Sequence, residues 1–171
     1  RVEGLISQTL LAVQLRAGLI PEPKRIRVAD FLQELVESAV TERNVWLSLE
    51  VDPSLEVEAD ERLLVSAVSN LVQNALKFTH PNGMVILRGR HETSSVVIEV
   101  EDQCSGLPTD KVEELLQPNV QPGEDRRGLG LGLSITREAV EAQGGKLVVK
   151  NIPGRGCIFA VQLRATEPRT S

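Results

Sequence analysis

Tyrosine is absent from this 171-residue chain, and three phenylalanines and one tryptophan supply all of its aromatic side chains. A core must therefore be built from Leu, Val, Ile and Ala, which a hydrophobic fraction of 41% provides. Cysteine is scarce as well: Cys104 and Cys157 stand far apart, neither beside a second Cys or a His. That spacing excludes a zinc framework and lends no support to a disulfide scaffold, so a reducing, cytoplasmic setting is expected. Excess positive charge is also missing. The formal net charge of -5 argues against nucleic acid or anionic lipid as a partner. An anionic ligand would need a placed Lys or Arg, a helix N-terminus or a metal ion. No apolar run approaches the roughly 20 residues of a spanning helix, and no signal peptide opens the sequence. No direct membrane contact is expected of this segment, and any anchor of a longer parent would lie outside it.

What is present reads as one medium-sized domain with flanking pieces. Val2, Leu5, Ile6, Leu10, Val13 and Leu15 recur at near-helical spacing, so residues 1–20 are expected to be helical, ended by Gly18, Pro21 and Pro23. The pattern fits either the tail of a longer helix or a surface helix packed on the domain. A second helix is expected from Val28 to Arg43, then a strand over Trp46–Val51 and a turn at Asp52-Pro53. Asp60 is the expected N-cap of a long helix reaching Thr79. Strands follow at Met84–Arg90 and Ser95–Val100, with a polar turn between them. Residues 107–127 are polar and contain three prolines; a mobile loop is expected, with one short helix near Asp110–Leu116. Leu131–Gln143 reads as a helix, and Leu147–Asn151 and Cys157–Leu163 as the last strands. The absence of regular βαβ alternation points to an α+β fold, a two-layer sandwich with helices on one face of a mixed sheet.

Three segments carry chemistry. The long helix presents Asn70, Asn74 and Lys77 within roughly 60° of arc, opposite Leu64, Val68, Leu71, Val72 and Ala75. Amide oxygens are hard ligands suited to Mg²⁺, and a lysine one turn on can reach a phosphate. Taken alone, the same pattern describes a solvated polar face. Asp102 leaves a buried strand into Gln-Cys-Ser-Gly-Leu, where a carboxylate can accept from an exocyclic amine and Gly106 permits close backbone approach. Gly128-Leu129-Gly130-Leu131-Gly132-Leu133 leads directly into a helix, and unobstructed amides there suit phosphate. It is neither a dinucleotide fingerprint nor a P-loop.

Taken together and in order, these segments resemble the catalytic and ATP-binding domain of sensor histidine kinases, in the wider Bergerat-type (GHKL) ATPase superfamily. Asn70–Thr79 looks like the family's N box, Asp102–Gly106 like its first glycine box, Gly128–Leu133 like its second, and Gly154–Phe159 like its last glycine segment. Glu141-Ala142-Gln143-Gly144-Gly145 matches the run between the last helix and strand. The resemblance spans residues 24–164. It implies that Asn70 and Asn74 coordinate Mg²⁺, that Asn70 and Lys77 serve the transfer step, and that Asp102 holds the adenine amine of ATP. Gly106 and Leu107 would shape that pocket; Arg127, Gly128, Leu129, Gly130, Leu131, Gly132 and Leu133 would support the triphosphate and the lid over Leu107–Arg127.

Cys104 stands where the family's first glycine box has its first Gly, Gln103 replaces the common Asn, and Leu115-Leu116-Gln117-Pro118-Asn119 lacks the lid's usual Phe. Hydrolytic relatives place a Glu four residues before the metal-binding Asn; here that position is Asn70, which cannot take a proton, so transfer is expected over hydrolysis. His80 and His91 lack the neighbourhood of a phosphoacceptor. Residues 1–22 would then be the end of a dimerisation helix and its linker, 23–165 the catalytic domain and 166–171 a disordered tail. The implied partners are a histidine-bearing dimerisation domain, a response regulator receiver domain, and a second copy in the full-length homodimer. Two alternatives stand beside this: a degenerate domain binding a purine nucleotide for regulation, and an anti-sigma-type protein-serine kinase.

Overall fold

Period-two alternation fixes which way each strand faces. In the computed structural model, which describes residues 10–39, 41, 43–104 and 129–166, β4 (Met84–Glu92) buries Val85 and Leu87, and β5 (Ser95–Asp102) buries Val96, Ile98 and Val100. Together with β2 (Trp46–Val51), β6 (Lys146–Ile152) and β7 (Gly156–Arg164) they form one sheet in the order β2-β4-β5-β7-β6. The β2–β4 pairing is parallel and the other three are antiparallel. Leu87 lies opposite Val100 and Val100 opposite Phe159, an apolar row crossing the sheet. The intervening residues carry charge on the other face: Arg88 bridges Glu50 and Glu101, and Arg90 bridges Glu92 and Glu99.

The apolar face is covered by α2 (Val28–Ser38), α3 (Glu61–Phe78) and α4 (Leu129–Glu141). Leu32, Leu63, Leu64, Leu71 and Leu133 are among the largest side chains fully buried there. This is the expected sandwich, with a core of aliphatic residues in place of aromatic ones. No described helix is long and apolar enough to cross a membrane.

Several boundaries differ from expectation. Helix α2 stops at Ser38, five residues short of Arg43, because Ala39 is extended and Arg43 and Asn44 adopt left-handed backbone (φ 56° and 61°). Arg43 instead donates from Nη2 to the carbonyls of Leu76 and Lys77, at 2.7 and 2.8 Å, capping the end of α3 with positive charge. Helix α4 begins at Leu129, not Leu131, which puts Gly130 and Gly132 inside its first turns. Two four-residue strands, β1 (Lys24–Arg27) and β3 (Glu56–Ala59), pair in a separate antiparallel ribbon. Neither was anticipated, being too short and charged to show a period. At the N-terminal side, residues 10–16 form α1; Leu11, Leu15 and Leu19 pack against the core while Leu10 and Val13 stay exposed. The expected helical residues 1–9, the loop and short helix of 107–127, and the tail 167–171 lie outside the described residues.

Candidate functional site

The platform is α3, and its start is strongly specified. Asp60 accepts from the backbone N–H groups of Arg62 (3.0 Å) and Leu63 (3.3 Å), as the expected N-cap does. It also accepts from Glu22 N–H and from the Arg62 guanidinium. Burial pushes the Asp60 carboxyl up, but hydrogen bonds from Arg62, Glu22 and Leu63 outweigh it and hold the pKa down at about 2.

Along α3, Asn70 and Asn74 are buried, at 6% and 9% exposure. That corrects any picture of a solvated polar face: both amides are buried, and Asn70 reaches α4. Asn70 Nδ2 donates to Thr136 Oγ1 of α4 at 2.9 Å. Asn74 Nδ2 is buried and has no hydrogen-bond partner; among the described residues it is the one such side-chain atom. An unmet amide donor is an exception in an interior where buried polar groups are paired, and it calls for an acceptor. Lys77, by contrast, is exposed in the last turn, its Nζ 5.3 Å from the Phe78 ring centroid.

At the far end of α3 the chain is fastened to the residue after Asp102. Gln103 N–H donates to Thr79 Oγ1, its carbonyl accepts from His80 N–H, and its side-chain oxygen accepts from Met84 N–H at 2.8 Å. Gln103 therefore sets where β5 ends relative to the helix that carries the amides. Asp102 is 4% exposed. Its Oδ1 accepts from Cys104 N–H (3.2 Å) and Cys157 N–H (3.0 Å). Burial raises its carboxyl above the usual range, opposed by the Cys104 thiol and by the Cys104 and Cys157 amides. The result is a buried acceptor held in one orientation, the chemistry needed to select an exocyclic amine.

Gly156 makes this packing possible. A Cβ on it would lie 1.8 Å from the Asp102 carbonyl oxygen, and its φ is +149°. Only glycine fits where β7 passes the end of β5, so the last glycine segment serves Asp102 structurally.

Of the remaining candidates, Gly106, Leu107, Arg127 and Gly128 lie outside the described residues. For Leu129, Gly130, Leu131 and Gly132 the backbone is the start of α4, and the Leu133 side chain is buried in the core. Thr79, Thr136 and Cys157 were not singled out from sequence as site residues. Their roles depend on partners 24, 66 and 55 positions away, which no local pattern reports.

Residues 59–167 match the profile of the family described as "Histidine kinase-, DNA gyrase B-, and HSP90-like ATPase". Among curated relatives, the adaptive-response sensory kinase SasA of Prochlorococcus marinus (strain MIT 9313) is 35% identical over 164 residues, covering 91% of this chain and 44% of that protein. The alginate biosynthesis sensor protein KinB of Pseudomonas aeruginosa is 33% identical over 122 residues, covering 71% of this chain and 20% of that one. The chain thus spans less than half the length of these relatives. Among solved structures, the catalytic domain of the histidine kinase ThkA superposes with a TM-score of 0.75 at 26% identity, over 85% of this chain and 97% of that one. Full-length ShkA in complex with AMPPNP gives 0.79 at 26% identity, over 95% and 36%.

Proposed function

Because the chain belongs to the family of histidine kinase-, DNA gyrase B- and HSP90-like ATPases, and is ATP-binding on that ground, we propose that it transfers the ATP γ-phosphoryl group to a histidine on a dimerisation domain outside these residues. The observation that carries this reading is the buried Asn70–Asn74 pair with its unmet Asn74 amide. The unmet Nδ2 is a donor suited to a phosphate oxygen, the amide oxygens of the pair suit a hydrated Mg²⁺, and residue 70 is itself an amide that cannot take a proton from water. Mg²⁺, when bound, would supply charge neutralisation on the phosphates. Asn70, with its amide fixed by Thr136, and Asn74 would hold it. Lys77 is exposed and would meet phosphate as a point charge. Asp102 would accept from the adenine amine, a fit supported by its burial and fixed orientation. Gly106 and Leu107 would complete that pocket. The amides of Gly128–Leu133, with Arg127, would support the triphosphate under a lid formed by Leu107–Arg127. Catalysis here is positioning and electrostatics, with little covalent work for the protein.

The same proposal extends to organisation. Residues 1–22 would be the end of a dimerisation helix and its linker, a reading supported by the outward Leu10 and Val13; residues 23–165 would be the catalytic unit, in a cytoplasmic protein that dimerises and passes phosphate to a receiver domain. AMPPNP bound to the similar ShkA is consistent with the nucleotide class. Mixing the chain with a separate dimerisation domain, labelled ATP and Mg²⁺ tests it. Acid-labile label on that domain's histidine is the expected result. ATP binding without any such label would instead favour the degenerate, regulatory reading, and label on a serine the anti-sigma type.

A further inference from the structure

The two cysteines that sequence spacing held apart are in contact. Cys104 Sγ and Cys157 Sγ lie 3.4 Å from each other although 53 residues separate them. Both are thiols. The approach follows from the packing already described: β7 begins at Gly156 against the end of β5, so Cys157 is the strand partner of Asp102, and Cys104 follows two residues later. Both backbone amides converge on Asp102 Oδ1. A ligand atom from each of Asp102, Cys104 and Cys157 falls within 4.8 Å of the others. Cys157 is fully buried and Cys104 is half-buried, so Cys104 is the more accessible residue of the pair.

We propose that Cys104 and Cys157 are a reversible redox-modification site that a hydroperoxide converts to an intramolecular disulfide, lowering affinity at the adjacent nucleotide site. In the first step the Cys104 thiol is oxidised to a sulfenic acid and hydrogen peroxide is reduced to water. The Cys157 sulfur then attacks the Cys104 sulfur, the S–O bond breaks, and hydroxyl leaves with the Cys157 proton as a second water. Two thiols and one peroxide give one disulfide and two waters. The sulfurs need to close from 3.4 Å to about 2.05 Å, which rotation at the half-buried Cys104 supplies.

The coupling rests on the reading of Asp102 as the adenine acceptor. The Cys104 thiol donates to the Asp102 carboxylate and helps keep it ionised against its burial. A disulfide sulfur has no proton to donate. Loss of that donor, together with the shift of the two cysteine backbones that a bond between them imposes, disturbs the amide contacts that orient Asp102 Oδ1 and so weakens its acceptance from an amine.

The test treats the chain with hydrogen peroxide in the presence of a chelator, then counts thiols under denaturing conditions. With only two cysteines in the sequence, the expected count falls from two to none, with loss of two hydrogens in mass, no dimer, and full recovery on adding dithiothreitol. The Tm of the oxidised form should rise by on the order of 10 °C, given the long loop closed. Calorimetry should find ATP bound about 3- to 10-fold more weakly by the oxidised form, the worth of one hydrogen bond. Cys104→Ser should abolish both the bond and the redox dependence of binding. Persistence of both thiols, oxygen added to Cys104 alone, or a cross-linked dimer would each overturn the site. Equal ATP affinity in the two forms overturns the coupling. If neither form binds ATP, the nucleotide reading fails while the thiol count still decides the bond.

Discussion

Asp102 and Asn74 are both costly in the fold, and their costs have different signs for ligand and stability. Asp102 is a buried carboxyl whose pKa is raised chiefly by burial, so its folded pKa exceeds its unfolded one and its ionised form costs stability at neutral pH. Asp102→Asn keeps an oxygen for the Cys104 and Cys157 amides and removes the charge. It should leave the unfolding free energy unchanged or higher in urea titrations, while weakening ATP roughly 10- to 100-fold, because an amide NH₂ then faces the adenine amine. Retained ATP affinity would remove Asp102 from the pocket. Asn74→Leu follows the same logic. It removes the one unmet buried side-chain nitrogen among the described residues, so stability should rise by about 1 kcal/mol in denaturant midpoints. Mg²⁺-dependent enhancement of nucleotide binding should be lost in the same variant.

Elements show what the sequence made legible and what it hid. The N-cap of α3 was readable because Asp60 precedes a long apolar period, and the strands β2, β4, β5, β6 and β7 were readable from alternation. The C-terminal limit of α2 was not, since Arg43 serves the end of α3, 33 positions on. Likewise Asn70 and Asn74 were visible as a polar face, but only the packing of α4 reveals that the face is buried and that Thr136 holds it. The cysteine pair was hidden for the same reason: strand register, not spacing, brings Cys157 to Cys104.

Asp60 has a folded pKa of about 2 against 3.8 unfolded, so its contribution is complete above the unfolded value and disappears as pH falls through the folded one. Asp60→Ala should cost about 2 kcal/mol at neutral pH. The difference from the unaltered chain should shrink between about pH 4 and pH 2 in urea titrations; a pH-independent difference would refute the carboxylate's role. Gly156→Ala forces a Cβ onto the Asp102 carbonyl and should cost about 3 kcal/mol or more. A smaller loss would mean that β7 can retreat from β5 without strain.

At the scale of the whole molecule, the sheet separates two tasks. Its charged face, with Arg88 and Arg90 held by Glu50, Glu92, Glu99 and Glu101, keeps the outer surface polar. Its apolar face seats three helices, and the candidate residues Asn70, Asn74 and Asp102 lie on α3 and at the end of β5, where β7 begins. Negative net charge is compatible with an anionic ligand if, as proposed, this rim offers the start of α4, Lys77 and an amide pair suited to a metal in place of a basic surface. The central claim, that this rim is a Mg²⁺-dependent ATP site, is tested most directly by calorimetric titration of the chain with ATP, with and without Mg²⁺. The account predicts one ATP bound per chain, tighter with Mg²⁺, with that enhancement missing in Asn74→Leu. Equal affinity with and without the metal, or an Asn74→Leu variant that responds to Mg²⁺ like the unaltered chain, would contradict it.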